Sequence, residues 1–265
     1  MSLLWSEPVR IGLSPRRVEL ARLRPGLRRH AVVGENARDC VPEDGQPMWT
    51  GALEALDALL ADRTPGGGGA TVVLSNHFVR YAVLPWNPEL VTAAEFAVAA
   101  AQRIQLTYGD AARGWEVRAS AAEWGQAGIV CAIDAALLAA LAEHVGRAGL
   151  RLVSVEPLLM KAFNTLRREV AADGALAVVE AGRVCVGVFS QGQWLSVMSR
   201  RCDGADPARL IAQELALAAP ETPPGRVELL NLGPDRAWAP SPELPLRTHA
   251  TPGGHSCRLA LYGSV

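Results

Sequence analysis

HVGRAGLRLVSVEPLLMKAFNTLR, residues 144–167, is the passage on which the fold turns. It ends one helix, crosses as a strand and opens another helix. Upstream, DAALLAALAEHVGRAG (134–149) reads as a helix, with Asp134 placed as N-cap and Gly149 just past the end. LRLVSVEP reads as a strand that closes on Pro157, and LLMKAFNTLRREVAA (158–172) as the next helix. Strands alternating with helices at short joints point to an α/β protein.

Working outward, ALAVVEAGRVCVGVFSQGQWLSV (175–197) reads as a meander of three strands with corners at Gly182 and Gly192. DPARLIAQELALAA (206–219) is a helix with Pro207 in its first turn, and RVELLNLG a strand. Beyond residue 233 the chain reads as Pro-rich and irregular as far as CRLALYG. Toward the amino terminus, VRIGLS and RRVELARLRP are strands joined near Ser14-Pro15, with HAVVG a possible third and residues 34–49 loop-like. WTGALEALDALLADR (49–63) places Leu53, Leu56, Leu59 and Leu60 at helical spacing, with Thr50 as N-cap. ATVVLS and FVRYAVLPW are strands, TAAEFAVAAAQRIQLTYG (92–109) a helix, and WEVRAS and GIVCAI strands.

Composition narrows the function classes. With 265 residues the chain can bury a sizeable core, and 49% hydrophobic with 20% charged residues is a globular balance. A net charge of −1 supplies no global field for nucleic acid or membrane. Arg10, Arg16, Arg17, Arg22, Arg24, Arg28 and Arg29 make the opening basic, but no aromatics for base stacking accompany them, and a solvated sheet face accounts for them. The five cysteines (Cys40, Cys131, Cys185, Cys202, Cys257) form no CxxC pair, so neither a disulfide framework nor a zinc ribbon is expected. MSLLWSEPVR lacks the apolar run of a secretory signal, and no stretch of 18 apolar residues occurs.

Three motifs invite a catalytic reading and fail on chemistry. Gly66–Gly69 follows a helix and precedes a strand, and Lys161, the sole lysine, lies elsewhere, so the run is a linker and not a phosphate loop. Ser75-Asn76-His77 has no nucleophile elbow around its serine and reads as a tight turn. The five histidines show no zinc spacing; His249 and His255 fall in the irregular tail. Glu180-Ala181-Gly182 could clamp a phosphate, the acid acting through Mg²⁺ and the glycine admitting close backbone approach, or it could be a meander corner.

Four stretches together are similar to one family: VRIGLSPRRVELARL (9–23), AVLPWNPELVTAAEFAVAAAQRI (82–104), the passage 144–167, and the meander 175–197. In order and spacing they resemble the actin-like proteins of bacterial type IV pilus assembly, PilM, and the cytoplasmic part of the type II secretion protein GspL. The resemblance covers roughly residues 8–200. It implies an actin-like α/β fold: ribonuclease-H-like halves at 1–69 and 150–265, an inserted α+β interaction subdomain at 70–149, and a reduced carboxyl-terminal half. It further implies a non-catalytic cytoplasmic scaffold, peripheral at the inner membrane, that docks a short peptide of a membrane-anchored PilN-like partner. Phe78, Tyr81, Trp86 and Phe96 are the candidate partner-binding aromatics, with core packing as the alternative for each, since aromatics dominate cores as well as interfaces.

The sequence departs from the family where nucleotide would bind. Ser14-Pro15 stand in place of acid-x-Gly-Ser/Thr, and Pro15 removes a backbone N–H. Glu180 stands where Asp is expected, with Gly182 kept, and LLNLGPDRAW offers only Gly233 for an adenosine motif. Ser14, Glu180 and Gly182 are therefore expected to be vestigial, with no cofactor, no metal site and no catalytic residue. The alternative is an actin-like ATPase that uses Mg-ATP at Glu180 and Gly182.

Overall fold

The computed structural model describes residues 8–24, 31–62, 68–120, 124–221, 224–233, 244–251 and 256–264. Arg28, Arg29, Gly66, Gly67 and His255 lie outside the described residues, as does the chain after Gly233 to 243. The chain divides into two compact units, Met1–Phe78 with Ala135–Ala162 and Thr251–Val265, and Val79–Asp134 with Phe163–Ala250.

The first unit is built on a five-stranded sheet. Strands β1 (Val9–Leu13), β2 (Arg17–Arg24) and β3 (Ala31–Asp39) form an antiparallel meander. Strands β4 (Gly69–Leu74) and β8 (Arg151–Pro157) continue it in parallel, giving the order β3-β2-β1-β4-β8. Helix α1 (Thr50–Ala61) buries Leu53, Leu56, Leu59 and Leu60, the residues its periodicity marks. Its N-cap is Trp49, without a side-chain bond, rather than the expected Thr50, which is the first helical residue. Helix α3 (Ala135–Arg147) buries Leu137, Leu141 and Val145, and its His144 bonds Asp57 of α1 at 2.7 Å. The short α6 (Arg258–Leu261) lies close against β1: a Cβ on Gly12 would stand 2.8 Å from the Ala260 nitrogen, so only glycine admits this approach.

The second unit repeats the strand order. Strands β9 (Ala175–Glu180), β10 (Arg183–Ser190) and β11 (Gln193–Arg201) form the meander, and β12 (Val227–Asn231) and β13 (Leu246–His249) add in parallel, giving β11-β10-β9-β12-β13. Helix α5 (Pro207–Ala218), capped by Asp206, packs Ile211 and Leu215 against Val179, Val184, Val186 and Leu229. The same unit holds a three-stranded antiparallel sheet, β5-β7-β6, of β5 (Val79–Leu84), β6 (Trp115–Ala119) and β7 (Gly128–Asp134). Helix α2 (Ala93–Tyr108) lays Ala100 and Ile104 on that sheet and starts at a capping box between Thr92 and Glu95.

Several expectations need redrawing. Within 70–149, β4 hydrogen-bonds with β1 and β8, α3 falls in the first unit, and the three-stranded sheet spans 79–134. Strand β3 runs on to Asp39, through residues expected to be loop. As a sheet-edge strand it stays solvated, so polar residues are tolerated while its ladder with β2 holds it extended. Strand β13 occupies part of the stretch expected to be irregular; its His249 meets the buried Glu228 of β12. Helix α4 (Leu158–Leu166) ends six residues before the expected 172.

Candidate functional site

The two hairpin corners that open the two large sheets are the places where this strand order could hold a phosphate. At the first, Ser14, Pro15 and Arg16 link β1 to β2. Both the Ser14 amide (3.1 Å) and its hydroxyl (2.7 Å) donate to the Arg17 carbonyl. Pro15 has no N–H to offer. The Arg17 guanidinium is drawn to Asp39 at 2.8 Å and lies 3.7 Å from Glu19. The Cys40 thiol donates to the Pro15 carbonyl at 3.4 Å. An oxyanion cradle needs several converging N–H groups; here the serine donors are spent on closing the turn.

At the second corner, Ala181-Gly182 link β9 to β10, and Glu180 and Arg183 face each other across the hairpin, both buried. Gly182 sits in the left-handed region, φ +75°, and its carbonyl accepts from the Cys202 amide at 3.0 Å. The Asp203 carboxylate lies over it, with Oδ1 2.6 Å from where a Cβ would stand. Arg183 donates to the Ser199 hydroxyl at 2.9 Å. Burial lowers the Arg183 pKa, as does Arg80, while Glu180 opposes the shift. The glycine face that could approach a phosphate therefore carries a carboxylate, which repels an anion. Gly233 lies against the Glu180 carbonyl, 3.4 Å from its Cβ position, and its amide donates to the Asn231 side chain at 3.1 Å.

At the first corner the Ser14 amide and hydroxyl are engaged within the turn and Pro15 has no N–H; at the second, Asp203 lies over Gly182. Among the described residues no group of three or more His, Cys, Asp or Glu is placed to hold a metal ion.

Ser75-Asn76-His77 forms the tight turn expected. The Ser75 hydroxyl meets His77 Nδ1 at 2.9 Å and accepts from the His77 amide at 3.2 Å, while the Phe78 amide donates to the Ser75 carbonyl at 3.0 Å. Asn76 Oδ1 accepts from the Leu159 amide at 3.1 Å, which satisfies a donor in the first turn of α4. Ser75 and Asn76 are fully buried, and these bonds read as a structural clasp rather than a nucleophile.

The candidate partner-binding aromatics divide. Phe78 (8% exposed) and Tyr81 (3%) are core residues, the packing alternative for these aromatics rather than partner anchors. The Tyr108 hydroxyl of α2 donates to the Tyr81 main-chain carbonyl at 2.8 Å, while the Tyr81 side chain lies on the face of β5 opposite Ala82 and Leu84, which pack on α2. Phe96 is half-buried in the core between α2 and its sheet. Trp86 alone of the four is accessible, at 42%. It meets Trp124, which is 75% exposed, edge to face with ring centroids 5.5 Å apart, and Val91 is also 75% exposed. Sequence reasoning missed Trp124; its signal was a tryptophan beside Gly125 in the loop ahead of β7. All five cysteines are free. Burial pushes the Cys131 thiol up to about 12 and, with Glu19 adding to it, that of Cys257 to about 11.

No protein-family model matches this sequence, and no curated protein sequence matches it. Solved structures do. The cytoplasmic domain of EpsL, an inner-membrane component of the type II secretion system of Vibrio cholerae, superposes with a TM-score of 0.60 at 14% identity, over 96% of this chain and 93% of that one. A PilM–PilN type IV pilus biogenesis complex gives 0.61 at 16% identity, over 86% and 82%. A Bacteroides thetaiotaomicron protein with an actin-like ATPase fold and unknown function gives 0.55 at 12%, over 85% and 81%. Among the described residues no helix is long and apolar enough to cross a membrane. The chain has an actin-like α/β fold, similar to that of the EpsL cytoplasmic domain and of the PilM–PilN complex, as the four sequence stretches implied.

Proposed function

We propose that this chain is a non-catalytic scaffold of a type IV pilus or type II secretion-like assembly. It works on the cytoplasmic side of the inner membrane and docks a short cytoplasmic segment of a membrane-anchored PilN-like protein. The observation that carries this reading is the end-to-end likeness to the EpsL cytoplasmic domain; the Ser14 donors held within their own turn and Asp203 over Gly182 support it. Trp86 and Trp124 are the exposed aromatics most suited to anchor a partner, because aromatic side chains supply large contact area at low entropic cost. Nucleic acid has no part in this reading, and contact with the membrane runs through the partner.

The test is a pair of titrations on the full chain. A peptide of the PilN-like protein's cytoplasmic segment is followed by tryptophan fluorescence, and Mg-ATP by calorimetry. Saturable peptide binding that weakens at least about tenfold in Trp86→Ala, as truncation of an anchoring aromatic does, is the expected result, with no heat from Mg-ATP. Micromolar Mg-ATP binding that disappears in Glu180→Ala would instead make the chain a nucleotide-controlled actin-like protein.

A further inference from the structure

The three-stranded sheet has a free side at β6. Among the described residues β6 has a strand partner on one side only, β7, in antiparallel register from Trp115↔Asp134 to Ala119↔Val130. The next position in that register, Ser120, donates to the Ile129 carbonyl at 2.9 Å. Hydrogen-bonded and non-bonded pairs alternate along an antiparallel ladder. Arg118 and Glu116 therefore bond inward to β7, and the amides and carbonyls of Trp115, Val117 and Ala119 point outward along the edge. The Val117 carbonyl is touched, at 3.4 Å, by the guanidinium of its own neighbour Arg118.

The side chains of this edge sort by face. Trp115, Val117 and Ala119 pack with the α2 core, while Glu116 and Arg118 lie on the opposite face. Glu116 and Arg118 are 43% and 81% exposed and pair with each other at 2.6 Å. Charges on an edge strand ordinarily protect it from wrong partners. WEVRA, however, is complementary to itself when turned end for end. With Val117 on a twofold axis, Glu116 of one copy faces Arg118 of the other, twice, and Trp115 faces Ala119. The same register puts the outward amides and carbonyls of residues 115, 117 and 119 opposite one another, for about six main-chain hydrogen bonds. The two Glu116–Arg118 pairs fall at non-bonded positions, where cross-strand side chains approach most closely.

We propose that the β6 edge is a docking strand for a second copy of this chain, paired antiparallel about Val117. Each copy would exchange its intrastrand Arg118–Glu116 pair for one across the interface, and the two three-stranded sheets would join into one. Such an interface is isologous, the commonest kind in homo-oligomers, and it works by strand addition. The proposal does not depend on the pilus or secretion reading, since it rests on one strand's register and charge order.

The experiment is sedimentation equilibrium of the full chain up to about 1 mM, the limit at which a weak strand-edge contact registers. The wild type is expected to dimerise. Val117→Pro deletes an amide that points away from β7, so the fold is retained, as an unchanged melting temperature would show, and the dimer is lost. Arg118→Glu places like charges opposite each other and also abolishes the dimer, and adding Glu116→Arg to it restores the dimer because complementarity returns. A wild type that stays monomeric, or a dimer indifferent to Val117→Pro and Arg118→Glu, overturns the proposal.

Discussion

The two five-stranded sheets share one strand order and differ in how their first hairpin is closed. In the first, a serine hydroxyl and amide both reach back to the Arg17 carbonyl, and a proline occupies the corner. In the second, a left-handed glycine makes the corner, a buried Glu180–Arg183 pair closes it, and Asp203 covers it. One closure is local and the other depends on a residue some twenty positions away. The sheet order survives both, because it is set by burying β1 and β9 between neighbouring strands, not by what the corner binds. The residues that close a corner can therefore differ without cost to the sheet order that carries it.

If the two sheets are equivalent as cores, damage to the helix over each should weigh alike. Leu56→Ala in α1 and Ile211→Ala in α5 both empty fully buried sites and should each cost about 2–5 kcal/mol in chemical denaturation. A marked inequality would show that one sheet carries the stability of the chain. The corners should then separate them. Gly182→Ala forces a Cβ into the left-handed region and against the Asp203 carboxylate, for a loss of about 1–3 kcal/mol. Pro15→Ala removes only the turn's stiffness and should stay within about 1 kcal/mol. Equal losses at Gly182 and Pro15 would mean that the Asp203 contact is not what holds the second corner.

Much of this was legible in the sequence, and the exceptions have physical causes. Strands β9 and β10, buried almost throughout, read as apolar runs, and α1 read from its leucines. The edge strand β3 was legible only in its first residues and β13 not at all, because a solvated edge tolerates Asn, Arg, Asp and His, so no alternation marks it. The change of sheet was not legible: β4 and β5 are separated only by the turn at Ser75–Phe78 yet join different sheets. Nothing in ATVVLSNHFVRYAVL signals that change. At the candidate site, Ser14-Pro15 and Gly182 were legible as turns. Asp203 over Gly182 was not, because the contact joins the ends of two hairpins and follows from register alone. Whether Tyr81 packs in the core or offers itself to a partner stays open at the level of sequence, because a strand's sequence does not say whether its second face is covered.

The smallest effect tests a feature that the first sheet owes to α6. Glu19 lies on β2 with its side chain buried, and it accepts from the Ala260 amide at 3.0 Å. Burial raises its pKa above the usual 4.5, and the Ala260 amide and Arg17 recover only part of the shift. A carboxyl raised on folding adds stability below its unfolded pKa, and that stability is lost as the pH climbs through the higher folded value. Ionised, the carboxylate sits in a place that favours the neutral form. Glu19→Gln keeps an acceptor for the Ala260 amide while removing the charge. It should raise the melting temperature slightly at pH 7 and leave it unchanged or lower near pH 4. The difference between mutant and wild type should shrink as the pH falls through the folded pKa of Glu19. A loss of stability at pH 7 would mean that the ionised carboxylate holds α6 to the sheet more strongly than burial opposes it, and the first sheet would then depend on a charge–amide contact at Ala260.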